Sequence, residues 1–277
     1  VNCLIYWDQS GLWSYSQRNL FRITDVEQEG RALIATDRES LIAVAKAARS
    51  DEIACLSYTS GTTGRPKGVI CTHGYLLDVA HRIQSALQLR PGDDYVSYTP
   101  FAWALEQYMA MALGLSLPLV VNFAERPDQI PEAVREIAPH CLLYGAKQWE
   151  SWASEVHRRM LDAPRWQQSM VNRAIAIAQN LEDRRRERAG YASRRDQLLR
   201  WLLDLAVLRG IRNHFGLNRI RTAVMGGSAM APDAFRFYHA LGVPLRNMYG
   251  CSEFGIVTSQ MSASVRVGTV GSVMPVE

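Results

Sequence analysis

The sequence predicts an α/β protein, with layered sheets of largely parallel strands and an inserted helical block. From residue 52 onward, short apolar runs alternate with helical patterns, which is typical of parallel strands joined by helices. Residues 146–215 interrupt this alternation with long stretches of helical periodicity. The chain has 277 residues, of which 48% are hydrophobic and 21% charged. This is ordinary globular composition, ample for a core.

The first 145 residues predict elements in the following order. Residues 1–50 indicate a short strand region rich in Tyr and Trp and then two helices, with Thr24 and either Thr36 or Asp37 as N-caps. Short apolar runs predict strands at 53–58, 68–72, 95–99, 117–122 and 141–144. Helices are expected between them at 74–87, 104–113 and 128–138.

The second half of the chain begins with the helical block. Two or three long helices are expected over 146–215, with a bend or exposed tip marked by Gly190 and the charged run 182–188. Apolar residues at helical spacing support this, namely Leu198, Leu199, Leu202, Leu203 and Val207. Strand–helix alternation then resumes at 220–225, 232–241 and 244–249.

Several classes of protein are disfavoured by composition. The five cysteines are scattered and form no CxxC pair, and the six histidines form no HxxxH or HExxH motif, so we predict no metal site built from them and a reduced, cytosolic setting. No signal peptide is visible. The uncharged span 107–124 contains Gly114, Ser116 and Pro118, so a helix followed by a strand explains it better than a membrane span.

The segment 57–69 is the most informative motif. It places hydroxyls and glycines between two apolar runs, with a lysine just beyond, and such a loop can direct N–H, O–H and ammonium donors at a phosphate. The candidate phosphate-binding residues are Thr59, Ser60, Gly61, Thr62, Thr63, Gly64 and Lys67. The spacing is not that of the ordinary P-loop, because Pro66 and Gly68 flank the lysine. A solvated loop between two strands is the alternative.

Two further segments follow strands near the C-terminal end. Residues 224–230 run from a strand into the turn Gly226-Gly227-Ser228, ahead of a helix with Pro232 in its first turn. This turn exposes backbone groups to a planar ligand, although Gly-Gly turns after strands are common. Residues 247–255 contain Tyr249, Gly250, Ser252 and Glu253, which could also be a strand-end turn with an exposed acid.

Taken together, segments 58–69, 226–230 and 249–253 resemble the signature motifs of the adenylate-forming (AMP-binding) superfamily. The resemblance implies that the loop holds the β- and γ-phosphates of ATP. It implies that Gly226, Gly227, Ser228, Tyr249 and Gly250 bind the nucleotide, with the tyrosine ring on adenine. Catalytic roles fall on Thr59, Lys67, Ser252 and Glu253, and Mg²⁺ binding on Thr59 and Glu253. Relatives usually have Thr where this chain has Ser252, whose rotamer is less fixed.

The stretch 98–107 resembles the long-chain fatty acid–CoA ligase branch of that superfamily. Trp103 follows Pro100, where that branch is thought to gate its fatty-acid tunnel, so Trp103 is the expected acyl-binding residue. A tryptophan buried in the core is the alternative. The helical insertion at 146–215 also resembles this branch. We therefore expect ATP-dependent activation of a long-chain fatty acid to acyl-adenylate and then acyl-CoA.

Other functions stay open at this point. A fatty acyl-AMP ligase that loads a carrier protein, another acid-adenylating enzyme, or an inactive nucleotide-binding remnant would carry the same motifs. The resemblance further implies segments outside this chain: an α/β portion before Val1, and after 268–271 a ribose-binding aspartate, a hinge and a small C-terminal domain with a catalytic lysine. The chain is thus expected to be the middle of a large N-terminal domain.

Charge is concentrated in the helical block. Residues 155–221 contain fifteen arginines against seven carboxylates, whereas the whole chain has a net charge of +4. A solvated helical face explains this pattern. Attraction to anionic lipid or to CoA phosphates is the sharper interpretation, and nucleic acid is disfavoured because no reading motif is present. The expected partners are fatty acid, ATP and CoA, with a homodimer and a peripheral membrane contact through this block as further expectations.

Overall fold

The computed structural model describes residues 3–15, 19–59, 64–188, 191–260 and 265–274. It divides into two compact units, residues 1–52 and residues 53–277. Ser60, Gly61, Thr62 and Thr63 of the predicted phosphate loop, and Gly190 of the predicted bend, lie outside the described residues.

The described residues of the first unit form two short parallel strands and a long helix. Strand β1 (Leu4–Tyr6) pairs with β2 (Leu20–Arg22), and helix α1 spans Ile23–Ala47. Asp37 leaves helical geometry at φ −147°, and its Oδ1 accepts the N–H of Ser40 at 3.2 Å. A kink capped by Asp37 therefore divides α1 into the two predicted helical segments. The prediction of Thr24 as an N-cap was wrong, because α1 begins at Ile23.

The second unit contains nine strands and nine α-helices among its described residues. The strands are β3 (Ile53–Thr59), β4 (Lys67–Thr72), β5 (Asp94–Ser97), β6 (Val120–Phe123), β7 (Cys141–Gly145), β8 (Thr222–Gly226), β9 (Leu245–Cys251), β10 (Gly255–Ser259) and β11 (Ser272–Val273). The helices are α2 (His73–Leu87), α3 (Ala104–Glu106), α4 (Gly114–Ser116), α5 (Ile130–Ile137), α6 (Ala146–Leu161), α7 (Arg165–Glu187), α8 (Arg194–Leu203), α9 (Arg209–His214) and α10 (Pro232–Leu241). π-Helical segments Gln107–Leu113 and Asp204–Leu208 join α3 to α4 and α8 to α9.

In the described part of the chain, the main sheet has seven strands in the order β11-β10-β9-β8-β7-β5-β6. The pairs from β6 to β9 are parallel, and β10 and β11 add an antiparallel edge. This confirms the predicted α/β class. Two features were not predicted: strands β10 and β11, and the separation of β3 and β4 into an antiparallel hairpin of their own.

The uncharged span 107–124 forms a helix and a strand, as predicted. The π-helical segment continues into α4, so the helical stretch ends at Ser116, and β6 begins at Val120. Within the described parts of the chain, no helix combines the length and the apolar composition needed to cross a bilayer.

An aromatic cluster joins the helical block to the centre of the sheet. The first four residues of β7 and of β8 are buried, as expected for central strands covered on both faces. Trp149 of α6 packs edge-on against Trp152 and Tyr238, with ring centroids 5.6 and 5.0 Å away. The indole N–H of Trp149 donates to Val224 O at 3.1 Å, and the Tyr238 hydroxyl donates to Trp149 O at 2.6 Å. These bonds fix α6 and α10 relative to β8.

Two arginines of the helical block bind the C-terminal end of α10. Arg200 donates to Ala240 O, and Arg212 Nη1 donates to Leu241 O at 2.5 Å. Arg212 also pairs with Asp204 at 2.5 Å. Cations are favourable at this end of a helix, where carbonyl groups lack intrahelical partners. Part of the concentrated positive charge therefore has a structural role.

The buried imidazole of His239 on α10 predicts a loss of stability in acid. Burial, with a smaller contribution from Arg186 and Arg185, lowers the pKa of His239 from 6.5 to about 4. Below pH 6.5 the unfolded chain takes up a proton that the folded chain does not, so stability falls as pH drops from 6.5 towards 4. In His239→Asn, the loss of stability between pH 7.5 and 5 should be smaller than in the parent by about 2 kcal/mol, as measured by urea unfolding.

The matched control is His73→Asn, since His73 is exposed at the start of α2. This variant should retain the acid sensitivity of the parent. If the stability of His239→Asn falls with decreasing pH as steeply as that of the parent, His239 is not the cause of the acid sensitivity, whatever the absolute stability of the variant.

Candidate active site

A cleft of about 360 Å³ lies beyond the carboxyl ends of β8 and β9. The two strands are parallel neighbours, with Met225 opposite Asn247, so their carboxyl ends meet at one edge of the sheet. Ligands of α/β proteins commonly bind at this edge. The turn after β8, with Gly227 and Ser228, lines one wall, and the end of β9, with Tyr249 and Gly250, lines another. The fold thus brings together two of the three motifs that the sequence singled out.

Two positions in the walls of this cleft require glycine. Gly227 has φ +82°, in the left-handed region that favours glycine. A Cβ at Gly250 would overlap the carbonyl of Gly255 on the neighbouring strand, so no larger residue fits there. The Tyr249 ring is 56% exposed and is available to stack on a flat group. The cleft therefore suits a planar, polar ligand.

Gln260 is hydrogen-bonded to the segment that forms the third wall of the cleft, and this role was not predicted from the sequence. Its side chain is 5% exposed and accepts the backbone N–H of Asn247 at 2.9 Å. Its Nε2 donates to Arg266 O at 2.6 Å and to Thr269 O at 3.0 Å. The lining segment 266–270 is thereby bound to β9. Gln260 follows β10, a strand that was not predicted, so its sequence pattern gave no signal.

The predicted residues Ser252 and Glu253 lie in the turn between β9 and β10. The Ser252 carbonyl accepts the hydroxyl of Tyr75 at 2.8 Å and that of Tyr108 at 3.2 Å. Burial raises the pKa of both tyrosines, so they remain neutral donors. The Glu253 side chain is exposed. The turn is therefore held by its backbone, which leaves the carboxylate free for a ligand.

The phosphate-loop motif lies on the hairpin of β3 and β4. Thr59 and Lys67 face each other across the strand pair, and Thr59 Oγ1 donates to Lys67 O at 3.5 Å. Gly64 has φ +84°. Helix α2 begins directly after β4, with Thr72 Oγ1 accepting the N–H of Tyr75 at 3.1 Å. Tyr75 thus links this hairpin to the Ser252 turn.

The structure does not join all the predicted residues by direct bonds. Among the described residues, no hydrogen bond or ion pair connects Thr59, Gly64 or Lys67 with Ser252 or Glu253. The donor set nevertheless suits MgATP. Mg²⁺ needs only one or two protein oxygens when phosphates supply the others, and a hydroxyl and one carboxylate are available. No group of three His, Cys, Asp or Glu in the described part of the chain could hold a metal alone.

Trp103 is 60% exposed, so it is not the core tryptophan of the alternative interpretation. It immediately precedes α3, which carries the fully buried Glu106. The Glu106 carboxylate accepts five hydrogen bonds, from Tyr95 Oη, Ser97 Oγ, Tyr98 N, Thr99 N and Thr99 Oγ1, at 2.8–3.3 Å. Ser57 Oγ of β3 donates to Ala102 O at 3.5 Å. The segment before Trp103 therefore lies against the phosphate-loop hairpin.

Comparison with protein families gives one match across most of the chain. The family model described as "AMP-binding enzyme" matches residues 15–277. The relative named "Putative fatty-acid--CoA ligase fadD11" of Mycobacterium tuberculosis is 30% identical over 237 residues. That alignment covers 83% of this chain and 40% of the relative.

Two further comparisons are with a curated relative and with a solved structure. The "Long-chain-fatty-acid--CoA ligase ACSBG2" of Rattus norvegicus is 24% identical over 265 residues, covering 92% of this chain and 38% of that protein. The solved complex of VinN with L-aspartate superposes with a TM-score of 0.61 at 15% identity, covering 99% of this chain and 57% of that chain. This chain therefore spans about 40% of the length of the curated relatives it matches.

We predict that Gln260 is a main support of the cleft. Gln260→Leu should lower the free energy of unfolding by about 1–2 kcal/mol, because the partly buried N–H of Asn247 loses its acceptor and the carbonyls of Arg266 and Thr269 each lose one of their donors. Urea unfolding measures this loss. Hydrogen exchange should also accelerate at the amides of 266–269 before the rest of the sheet.

The control is Gln28→Leu, at an exposed position of α1. It should change the unfolding free energy by less than about 0.5 kcal/mol. Unchanged exchange at 266–269 in Gln260→Leu would show that the wall is held by other contacts.

Proposed function

The chain belongs to the AMP-binding enzyme family, and from this premise we propose that it is the nucleotide-binding part of a long-chain fatty acid–CoA ligase. The observation that carries the proposal is the cleft beyond β8 and β9. Gly227 and Ser228 of one motif, and Tyr249 and Gly250 of another about twenty residues later in the sequence, line one cavity there. The exposed ring of Tyr249 and the glycine backbone at Gly227 and Gly250 leave room for a flat group such as adenine. Relatives named as fatty-acid–CoA ligases support the choice of acid.

The proposed reaction has two steps. In the first, a carboxylate oxygen of the fatty acid attacks the α-phosphorus of ATP, a new P–O bond forms, and the bond to pyrophosphate breaks. In the second, the CoA sulfur attacks the acyl carbon, a thioester forms, AMP leaves, and the thiol proton passes to solvent. Both steps depend on positioning and on stabilisation of negative charge.

The described residues have separate roles in this proposal. Gly226, Gly227, Ser228 and Tyr249 bind the adenine, with Gly250 behind the ring. Thr59 and Lys67, at the two strand ends of the β3–β4 hairpin, hold the β- and γ-phosphates together with segment 60–64. Ser252 orients the reacting groups. Mg²⁺, bound by Glu253 and Thr59, would neutralise charge on the phosphates.

The choice of a long-chain fatty acid as substrate is based on Trp103 and on the helical insertion. An exposed tryptophan beside the phosphate-loop hairpin offers a large apolar surface to an acyl chain. Helices α6 to α9 lie between Ala146 and His214, the part of the chain where the helical insertion is expected. A carrier-protein acceptor in place of CoA remains the competing function, and it is separated below by the acceptor that is used.

The proposal predicts that Glu253→Ala abolishes fatty-acid-dependent pyrophosphate release. The change removes the carboxylate proposed to bind Mg²⁺, and loss of such a group costs at least a hundredfold in rate. The assay measures the pyrophosphate that the purified full-length protein releases from ATP in the presence of palmitate. CoA and a phosphopantetheinyl carrier protein are then supplied in parallel as acceptors.

The control is Glu125→Ala, an exposed carboxylate between β6 and α5, which should leave the rate unchanged. Near-normal pyrophosphate release in Glu253→Ala would refute the Mg²⁺ role. Transfer to the carrier but not to CoA would favour the competing function. A parent protein that binds ATP but releases no pyrophosphate would be a nucleotide-binding remnant.

Trp103→Ala should discriminate between long and short acids. Loss of an apolar contact of this size should raise the KM for palmitate about tenfold. The KM for butyrate and for ATP should change little, because neither reaches that ring. Trp166→Ala, at an exposed tryptophan of α7, is the control. An equal change for both acids would remove Trp103 from the acyl site.

A further inference from the structure

The helical stretch from α8 to α9 has two apolar faces, and only one of them is covered. The inward face packs on α7 through Leu203, Val207 and Ile211. The outward face carries four large apolar side chains that are 48–59% exposed, namely Leu198, Trp201, Leu202 and Leu205. A helix with a satisfied core face rarely needs a second one in water. Such an exposed apolar stripe marks a contact with something else.

The four side chains form one continuous stripe. Their spacing of three, four and seven residues places them on the same side of a helix, over two turns. Two exposed arginines, Arg194 and Arg195, lie one turn before the stripe. A third exposed arginine, Arg209, lies one turn after it. The outward face is therefore apolar in the middle and cationic at both ends.

Among the described residues, Arg194, Arg195 and Arg209 form no ion pair, although the charge of Asp204 acts on Arg209. Every residue from 191 to 214 is described, and that stretch has two carboxylates. Asp196 pairs with Arg188 at 3.5 Å, and Asp204 pairs with Arg212 at 2.5 Å. Both are half-buried. Of the exposed side chains in this stretch, the charged ones are all arginines.

We infer that this face, defined by Leu198, Trp201, Leu202 and Leu205 with Arg194, Arg195 and Arg209, binds the surface of an anionic lipid membrane. Leucine and tryptophan insert at the level of the headgroups, and arginines around them attract anionic lipid. Charge complementarity carries the choice of occupant. In a two-fold contact with a second copy, arginines would face arginines, which is unfavourable. A nucleic acid is also disfavoured, because its phosphate groups would lie against the exposed leucines.

The inference goes beyond the proposed ligase activity and does not depend on it. None of the seven residues lines the cleft or belongs to the phosphate-loop hairpin. If the proposed substrate is also correct, the face would hold the enzyme at the surface where long-chain acids partition.

Vesicle co-sedimentation of the purified protein tests this surface. The vesicles are phosphatidylcholine alone or phosphatidylcholine mixed with phosphatidylglycerol. The parent should bind the mixed vesicles, and binding should weaken with salt. Trp201→Gln with Leu205→Gln should reduce the affinity about tenfold or more. Arg194→Gln, Arg195→Gln and Arg209→Gln together should reduce it about a hundredfold and remove most of the salt dependence.

Matched controls lie elsewhere on the surface of the second unit. Leu115→Gln changes a leucine that is 80% exposed, and Arg126→Gln changes an exposed arginine. Both should bind vesicles like the parent. Circular dichroism and pyrophosphate release without vesicles should match the parent in all variants, which separates this inference from the proposed function.

Three outcomes would overturn the inference. One is a parent protein that does not bind mixed vesicles. Another is equal binding by the parent and both face variants. The third is a dimer of the parent that the Trp201 and Leu205 changes dissociate, because a second copy would then cover the face.

Discussion

A buried carboxylate constrains the region around the candidate acyl site. Glu106 is fully buried, and removing a polar group from water is costly unless it is hydrogen-bonded. The end of β5 meets this requirement by curving around Glu106, with hydroxyl donors from Tyr95, Ser97 and Thr99 and two backbone N–H groups. The strand end and helix α3 are consequently locked together. Trp103, one residue before α3, is exposed and lies between the strand end and the helix that these hydrogen bonds join.

Neutral hydrogen bonds from outside the recognised motifs give the cleft and the turn beside it their shape. Gln260 joins β9 to the wall at 266–270, and Tyr75 and Tyr108 converge on the Ser252 carbonyl. All three side chains act on backbone atoms. The motif side chains Tyr249 and Glu253 are thereby left exposed for ligands. This division of labour is expected where a site must be rigid and yet accessible.

The arginine-rich block has two kinds of arginine with different physical roles. Arg200 and Arg212 turn inward to the carbonyl end of α10, where they satisfy groups that the helix itself cannot bond. Arg194, Arg195 and Arg209 face outward around an apolar stripe. Counting charges in the sequence could not separate these sets, because the same residue type occurs at both. Burial and pairing separate them.

The sequence by itself determined the α/β class, the order and type of most elements, and the motifs at 57–69, 226–228 and 249–253. Periodicity and local composition are properties of neighbouring residues, so they can be deduced without a fold. Only the tertiary structure showed strands β10 and β11, the separate hairpin of β3 and β4, and the partners of Ser252. It also showed that Trp103 is exposed and that Gln260 supports the cleft. These features depend on contacts between residues far apart in the chain, such as Tyr75 with Ser252, which no local pattern records.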